Sequence, residues 1–182
     1  REGVWTFLLQ DYYREESLRF CPVATKTPQE GGQNPFSAWE LMDNFTQGVR
    51  ETHKGSYGIN KWVHDCPPDW EYQSGAETKY NWRKMSVKGA ANVPLFMDCW
   101  YVMASPLETD DPPQYAGFMA IGTGMSNMNR VCIYRHEHGI NIVFADFSVR
   151  PVKLKDLWGL KWHKDWDVIK SHPVWSDYPW IK

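Results

Sequence analysis

Neither sign of charge dominates this chain: 20 Lys and Arg stand against 22 Asp and Glu in 182 residues, a formal charge of −2. A surface that binds nucleic acid needs a basic excess to neutralise phosphates, so nucleic acid is not an expected partner. Long apolar runs are lacking too. A membrane-spanning helix takes about 20 consecutive apolar residues, whereas stretches such as Val93-Pro-Leu-Phe-Met97 stop early. No C-x-x-C pair or tight Cys/His cluster suggests zinc. There is no H-E-x-x-H, no serine in a nucleophile elbow and no glycine-rich loop placed to cradle phosphate. Enzymatic activity is therefore not expected. The sequence opens at Arg1 without the basic-then-apolar pattern of a signal segment, which reads as a processed or trimmed form of something longer.

What is present is aromatic. Eleven Trp, 9 Tyr and 8 Phe make up 15% of the residues, so rings must do much of the packing. The 42% hydrophobic and 23% charged fractions are those of a globular protein, and the length suits one domain spanning 1–182. Four cysteines, Cys21, Cys66, Cys99 and Cys132, lie far apart. Their even number suits two disulfides in an oxidising compartment, and four buried thiols are the other reading.

Apolar residues at Val4, Leu8, Tyr12 and at Trp5, Leu9, Tyr13 form two adjacent i,i+4 rows and predict a helix over 4–13, ending before Cys21-Pro22. Residues 24–36 read as a surface loop. Ser37 and Glu40 have the spacing of a capping box, predicting a second helix toward Thr46. After Gly55 come β-prone stretches at 56–64, 93–103, 131–136 and 141–152, separated by turn residues. A helix followed by a run of strands indicates an α+β fold with an antiparallel sheet. Within it, 131–136 and 140–146 read as a hairpin turning at 137–139, with Gly139 available for a positive φ. The second strand is apolar on both faces and is expected at the heart of the sheet.

The segment Arg135-His-Glu-His-Gly-Ile-Asn-Ile-Val-Phe-Ala-Asp146 resembles the H-x9-D-G segment of bacterial prepilin-like proteins, relatives of type IV pilins and type II secretion pseudopilins abundant in planctomycete-type bacteria. Stretches 18–26, 55–62, 92–98 and 148–163 agree with the family in order, and together they cover most of the chain. Phe147 stands where the family has glycine, which bears on the tight turn after the aspartate. The family also begins with a leader and a long apolar helix, which this sequence does not contain. The resemblance implies a pilin-like head in which 1–16 is the end of the stalk helix, packed on an antiparallel sheet, and a Trp-rich tail over 153–182 covers an edge or face. It implies a structural subunit of a filament or pseudopilus, with copies of itself and other pilin-like subunits as partners. The location would be the periplasm or the cell surface, with a parent anchored in the inner membrane before assembly. It also associates Cys21 with Cys132, leaving Cys66 with Cys99; the first bridge would fasten helix to sheet.

His136, Gly139 and Asp146 are the family-motif residues, read as structural. With the turn at 137–139, His136 and Asp146 would lie roughly 16–20 Å apart at about 3.3 Å per residue, too far for a dyad. Asp146 is expected to pair with Arg130 or Arg150, and His136 to bond to backbone. No cofactor is expected. Two acidic clusters, Glu108 with Asp110 and Asp111, and His163 with Asp165 and Asp167, are the places where calcium could bind, although neither has the spacing of a calcium loop. The alternative function is a secreted or surface-displayed polysaccharide-binding module in which Trp175 and Trp180 stack on sugars; core packing is the plainer role for those rings.

Overall fold

The computed structural model describes residues 4–43, 51–65, 78–84, 86–117, 126–170 and 173–182. Among them the strands are β1 (Trp39–Asp43), β2 (Glu51–Gly55), β3 (Tyr57–Asn60), β4 (Pro94–Asp98), β5 (Met103–Ala104), β6 (Gly139–Phe144) and β7 (Val149–Lys153). β1 and β2 form an antiparallel pair, and the other five form one sheet in the order β5-β3-β4-β6-β7. Only the β3–β5 ladder is parallel. The fold is thus mixed helix and strand with antiparallel sheets. Pro151 fits in β7 because β7 is an edge strand, where a missing N–H interrupts no second ladder.

Strand β6 shows how sequence becomes core. Ile140, Ile142 and Phe144 alternate onto one face and are fully buried. Against them lie Leu154, Leu157, Trp158, Leu160 and Trp162 from the segment that follows β7, all in one apolar cluster. Truncating a buried ring of this size to alanine costs about 3–5 kcal/mol. The covering layer is therefore the Trp-rich C-terminal segment, wound as 3-10 turns over Leu154–Gly159, and not a helix.

The indoles have a second task. Much of the backbone is irregular, and its buried carbonyls need donors. Trp5, Trp39, Trp62, Trp100, Trp158 and Trp162 each donate the indole N–H to a backbone carbonyl, those of Val102, Tyr57, Pro106, Asn129, Asp110 and Leu157 respectively. The abundance of tryptophan follows: one side chain supplies both apolar area and a donor for a loop.

Several expectations are corrected. The helix over 4–13 is a single α-turn, α1 (Trp5–Leu8), followed by a 3-10 turn at Gln10–Tyr12. No side chain caps α1, Leu8 and Tyr12 of the expected apolar rows are 46% and 85% exposed, and the Tyr13 hydroxyl donates to the Thr6 carbonyl, folding the segment back on itself. The helix expected from Ser37 is β1 instead, where Glu40 sits opposite Lys54 at 3.3 Å; its far end, toward Thr46, lies outside the described residues. The same S/T-x-x-E spacing does cap a turn at Pro28–Glu30, where the Glu30 carboxylate accepts the Thr27 N–H.

Residues 131–136 are not a strand. β6 already has β4 and β7 on its two edges, so no ladder position remains, and Val131, Cys132, Ile133 and Arg135 all point into the interior. The expected turn at 137–139 does form, closed by the His136–Gly139 bridge, but with Glu137 and His138 at positive φ. Gly139 is required for a different reason: a Cβ there would sit 2.5 Å from the Val152 carbonyl oxygen. The antiparallel hairpin is β6–β7, turning through 145–148. Phe147, where the family pattern has glycine, holds that turn at φ 63 while 74% exposed.

A left-handed phenylalanine carries strain of about 1–2 kcal/mol, and glycine's extra freedom in the unfolded chain offsets about 0.5–1 of it. Phe147→Gly is expected to raise the unfolding free energy by about 0.5–1 kcal/mol, measured by urea denaturation; a loss of stability would show that the exposed ring has a packing role.

Candidate functional site

Arg135 and His136 of the motif segment meet Asp98 where β4 ends and β6 begins. Arg135 is 3% exposed. Its guanidinium donates to Asp98 Oδ1 at 3.2 Å, to the Ser56 carbonyl at 2.7 Å, and to the carbonyls of Pro35 and Ser37 at 3.0–3.1 Å. The fork geometry of arginine lets one side chain satisfy three loop carbonyls and a carboxylate together. Asp98, fully buried at the end of β4, uses Oδ2 to accept the Asn141 N–H of β6 at 2.8 Å. The same Oδ2 lies 3.2 Å from His136 Nε2.

Cys21 completes the group. Its backbone N–H donates to Ser56 Oγ, which fixes the residue beside the β2–β3 junction, and its Sγ lies 3.2 Å from His136 Nε2. The thiol, the Asp98 carboxylate and the imidazole nitrogen all lie within 4.8 Å of one another. Burial raises the Cys21 thiol above its ordinary value, and the Asp98 carboxylate adds to the rise while Arg135 opposes it. The neighbouring Tyr57 phenol is pushed up to about 12 by burial first and by Cys21 and Asp98 next. A nucleophilic cysteine requires a lowered pKa, and a relay requires the carboxylate on the ring nitrogen opposite the nucleophile. Here both groups meet the same nitrogen, so the arrangement is one of three ligand atoms around a point.

This cluster was invisible to the sequence, where Cys21, Asp98 and His136 stand far apart. Each nevertheless lies in a stretch that carries the family resemblance. The bond from His136 to the Gly139 carbonyl is made by its main-chain N–H; its ring, expected to bond to backbone, faces Cys21 and Asp98 through Nε2. Asp146 is at the other end of β6, exposed, and accepts from the Ser148 N–H and hydroxyl. Those bonds hold its carboxyl below the usual range, with Arg150 assisting. Arg130 turns instead to the Met103 carbonyl, and Arg150 to Asn92.

The expected Cys21–Cys132 bridge is not formed. Cys21, Cys99 and Cys132 are free thiols, and Cys132 sits inside the main apolar cluster, to which Cys21 does not belong; Cys66 lies outside the described residues. The two acidic clusters meet through one residue: Glu108 accepts from the Asp167 N–H and faces His163 Nε2 at 3.0 Å. Burial lowers the His163 pKa and Glu108 opposes it. Asp110 turns inward to accept the N–H groups of Leu107 and Met128, while Asp111 and Asp165 are exposed, so these carboxylates do not gather around one point. Trp175 packs edge-on against Trp158, and Trp180 donates to the Pro113 carbonyl; both are half-buried.

Compared with family models, curated proteins and solved structures, the chain matches none.

Two outcomes follow. Arg135→Met leaves the Asp98 carboxylate buried without its counter-ion, and is expected to cost about 3–5 kcal/mol in urea denaturation, part of it recovered by adding Asp98→Asn. Burial raises the Asp110 pKa from 3.8 to about 6. The folded state therefore holds this proton more tightly than the unfolded chain. Its contribution is complete below the unfolded value and is lost as pH rises through about 6. Asp110→Asn keeps the acceptor oxygen and should remove that fall, seen as a flatter dependence of stability on pH than in the parent.

Proposed function

We propose that the chain is the globular head of a pilin-like structural subunit, belonging to a type IV pilus-like filament or a type II secretion pseudopilus and acting outside the cytoplasm. The observation that carries this reading is the use made of the H-x9-D segment. Arg135 is committed to four internal partners, β6 is an interior strand, and the histidine and aspartate stand at its opposite ends. A segment used this way builds a scaffold, and its own histidine and aspartate do not meet. The exposed face of that scaffold supports a role in assembly. A groove of about 370 Å³ between the N-terminal segment and the sheet is lined by Trp5, Leu9, Phe96, Val143 and Val149 with Tyr57 at its side. Repeated head-to-tail contacts between such subunits generate open helical filaments.

The alternative is polysaccharide binding through Trp175 and Trp180. Their contacts in the fold are internal, with Trp158 and the Pro113 carbonyl, which favours the packing role for both. Among the described residues no helix is long and apolar enough to cross a membrane, so anchoring would depend on sequence outside them.

Immunogold microscopy of sheared surface material from cells expressing the epitope-tagged parent gene tests the proposal. Labelled filaments are expected. Recovery of the protein only as a monomer that binds a glycan array, with binding lost in Trp175→Ala or Trp180→Ala, would replace the filament reading with the glycan one.

A further inference from the structure

The Cys21, Asp98 and His136 cluster has no role in the filament reading, and its geometry is specific. We propose that these three side chains bind a zinc ion, with a water as the fourth ligand, and that the ion fastens the N-terminal segment to the sheet.

The distances carry the argument. Zinc lies about 2.3 Å from a thiolate, about 2.0–2.1 Å from imidazole and about 2.0–2.2 Å from a carboxylate oxygen. In a tetrahedron those bonds place the ligand atoms about 3.4–3.6 Å from one another. Sγ to Nε2 and Nε2 to Oδ2 are both 3.2 Å, and the whole set lies within 4.8 Å. A shift of a few tenths of an ångström admits the ion.

The chemistry agrees with the geometry. A mixed sulfur, nitrogen and oxygen donor set suits a borderline-soft, tetrahedral cation. Without a cation, one ring nitrogen faces a thiol and a carboxylate at once. With it, all three are satisfied. Binding releases the Cys21 thiol proton to solvent, leaves a zinc–thiolate bond, and requires the His136 ring to carry its proton on Nδ1. Thiolate and carboxylate then set two negative charges against the two of the ion and the one of Arg135.

The surrounding bonds already orient the donors, as the partners of metal ligands do. Arg135 and the Asn141 N–H hold the Asp98 carboxylate, and Ser56 Oγ holds the Cys21 backbone. The His136 side chain is 28% exposed, so solvent reaches the site and can supply both the entry path and the fourth ligand. Fastening of this kind does what a Cys21–Cys132 disulfide would have done, linking residue 21 to β4 and to the turn before β6.

The test uses the purified full chain, reduced and stripped with chelator, and titrated with Co²⁺ as the probe. Expected are saturation at one ion per chain, the visible absorption of tetrahedral cobalt, a near-ultraviolet thiolate charge-transfer band, displacement of both by Zn²⁺, and a rise in Tm on adding Zn²⁺. Cys21→Ser and His136→Gln should each abolish the thiolate band, with folding checked by circular dichroism. Cys66→Ser, Cys99→Ser and Cys132→Ser should leave it intact. Absence of a saturable band in the parent chain, or a band that survives Cys21→Ser or His136→Gln, overturns the proposal. Either result stands whatever the filament experiment shows.

Discussion

The ion pair between Arg135 and Asp98, both fully removed from water, is the interaction on which the rest of the structure depends. Two charges in the interior are tolerable only when their remaining donors and lone pairs are also satisfied. Here they are. The guanidinium takes up the carbonyls of Pro35, Ser37 and Ser56, and the carboxylate takes up the Asn141 N–H. One pair thereby joins the loop ahead of β1, the junction of β2 and β3, the end of β4 and the start of β6. The β3–β4 and β4–β6 ladders join the last three of these pieces, and the Arg135 guanidinium ties the loop ahead of β1 to them.

A shortage of regular structure explains the tryptophans. A chain folded largely as loops and 3-10 turns leaves many interior carbonyls without ladder partners. Indole N–H groups fill that need from within the apolar layer, as Trp62 does for Pro106 and Trp162 for Leu157. The C-terminal segment can then cover the sheet without becoming a helix, because its rings supply area and its neighbours' carbonyls are met. Zinc at Cys21, Asp98 and His136 would add one more cross-link of the same kind, on the opposite flank of the Arg135 pair.

What could be read from the sequence was mostly local. The apolar run on both faces of 140–146 foretold an interior strand, and the turn residues foretold a chain of short strands. Periodicity misled at 4–13, because i,i+4 spacing records what a helix would present and not whether a surface exists to receive it; Tyr12 faces water. It misled again at 131–136, where β-prone residues are buried although β6 already has β4 and β7 on its two edges. The Ser37 capping signal was overridden by pairing with 51–55, while the identical signal at Thr27 was obeyed. The Cys21, Asp98 and His136 group could not be read at all, since it joins a loop, the end of β4 and the turn before β6, which meet only in the folded chain.

Filament assembly and metal binding both presuppose a rigid head organised around that buried pair. Native-state hydrogen exchange tests this most directly, through the Asn141 amide held by Asp98 and the Cys99 amide held by the Ser56 carbonyl. If the pair organises the fold, these amides exchange only through global unfolding, while those of the β1–β2 hairpin open locally at lower free energy. Exchange of Asn141 and Cys99 as fast as that of the hairpin would contradict the account.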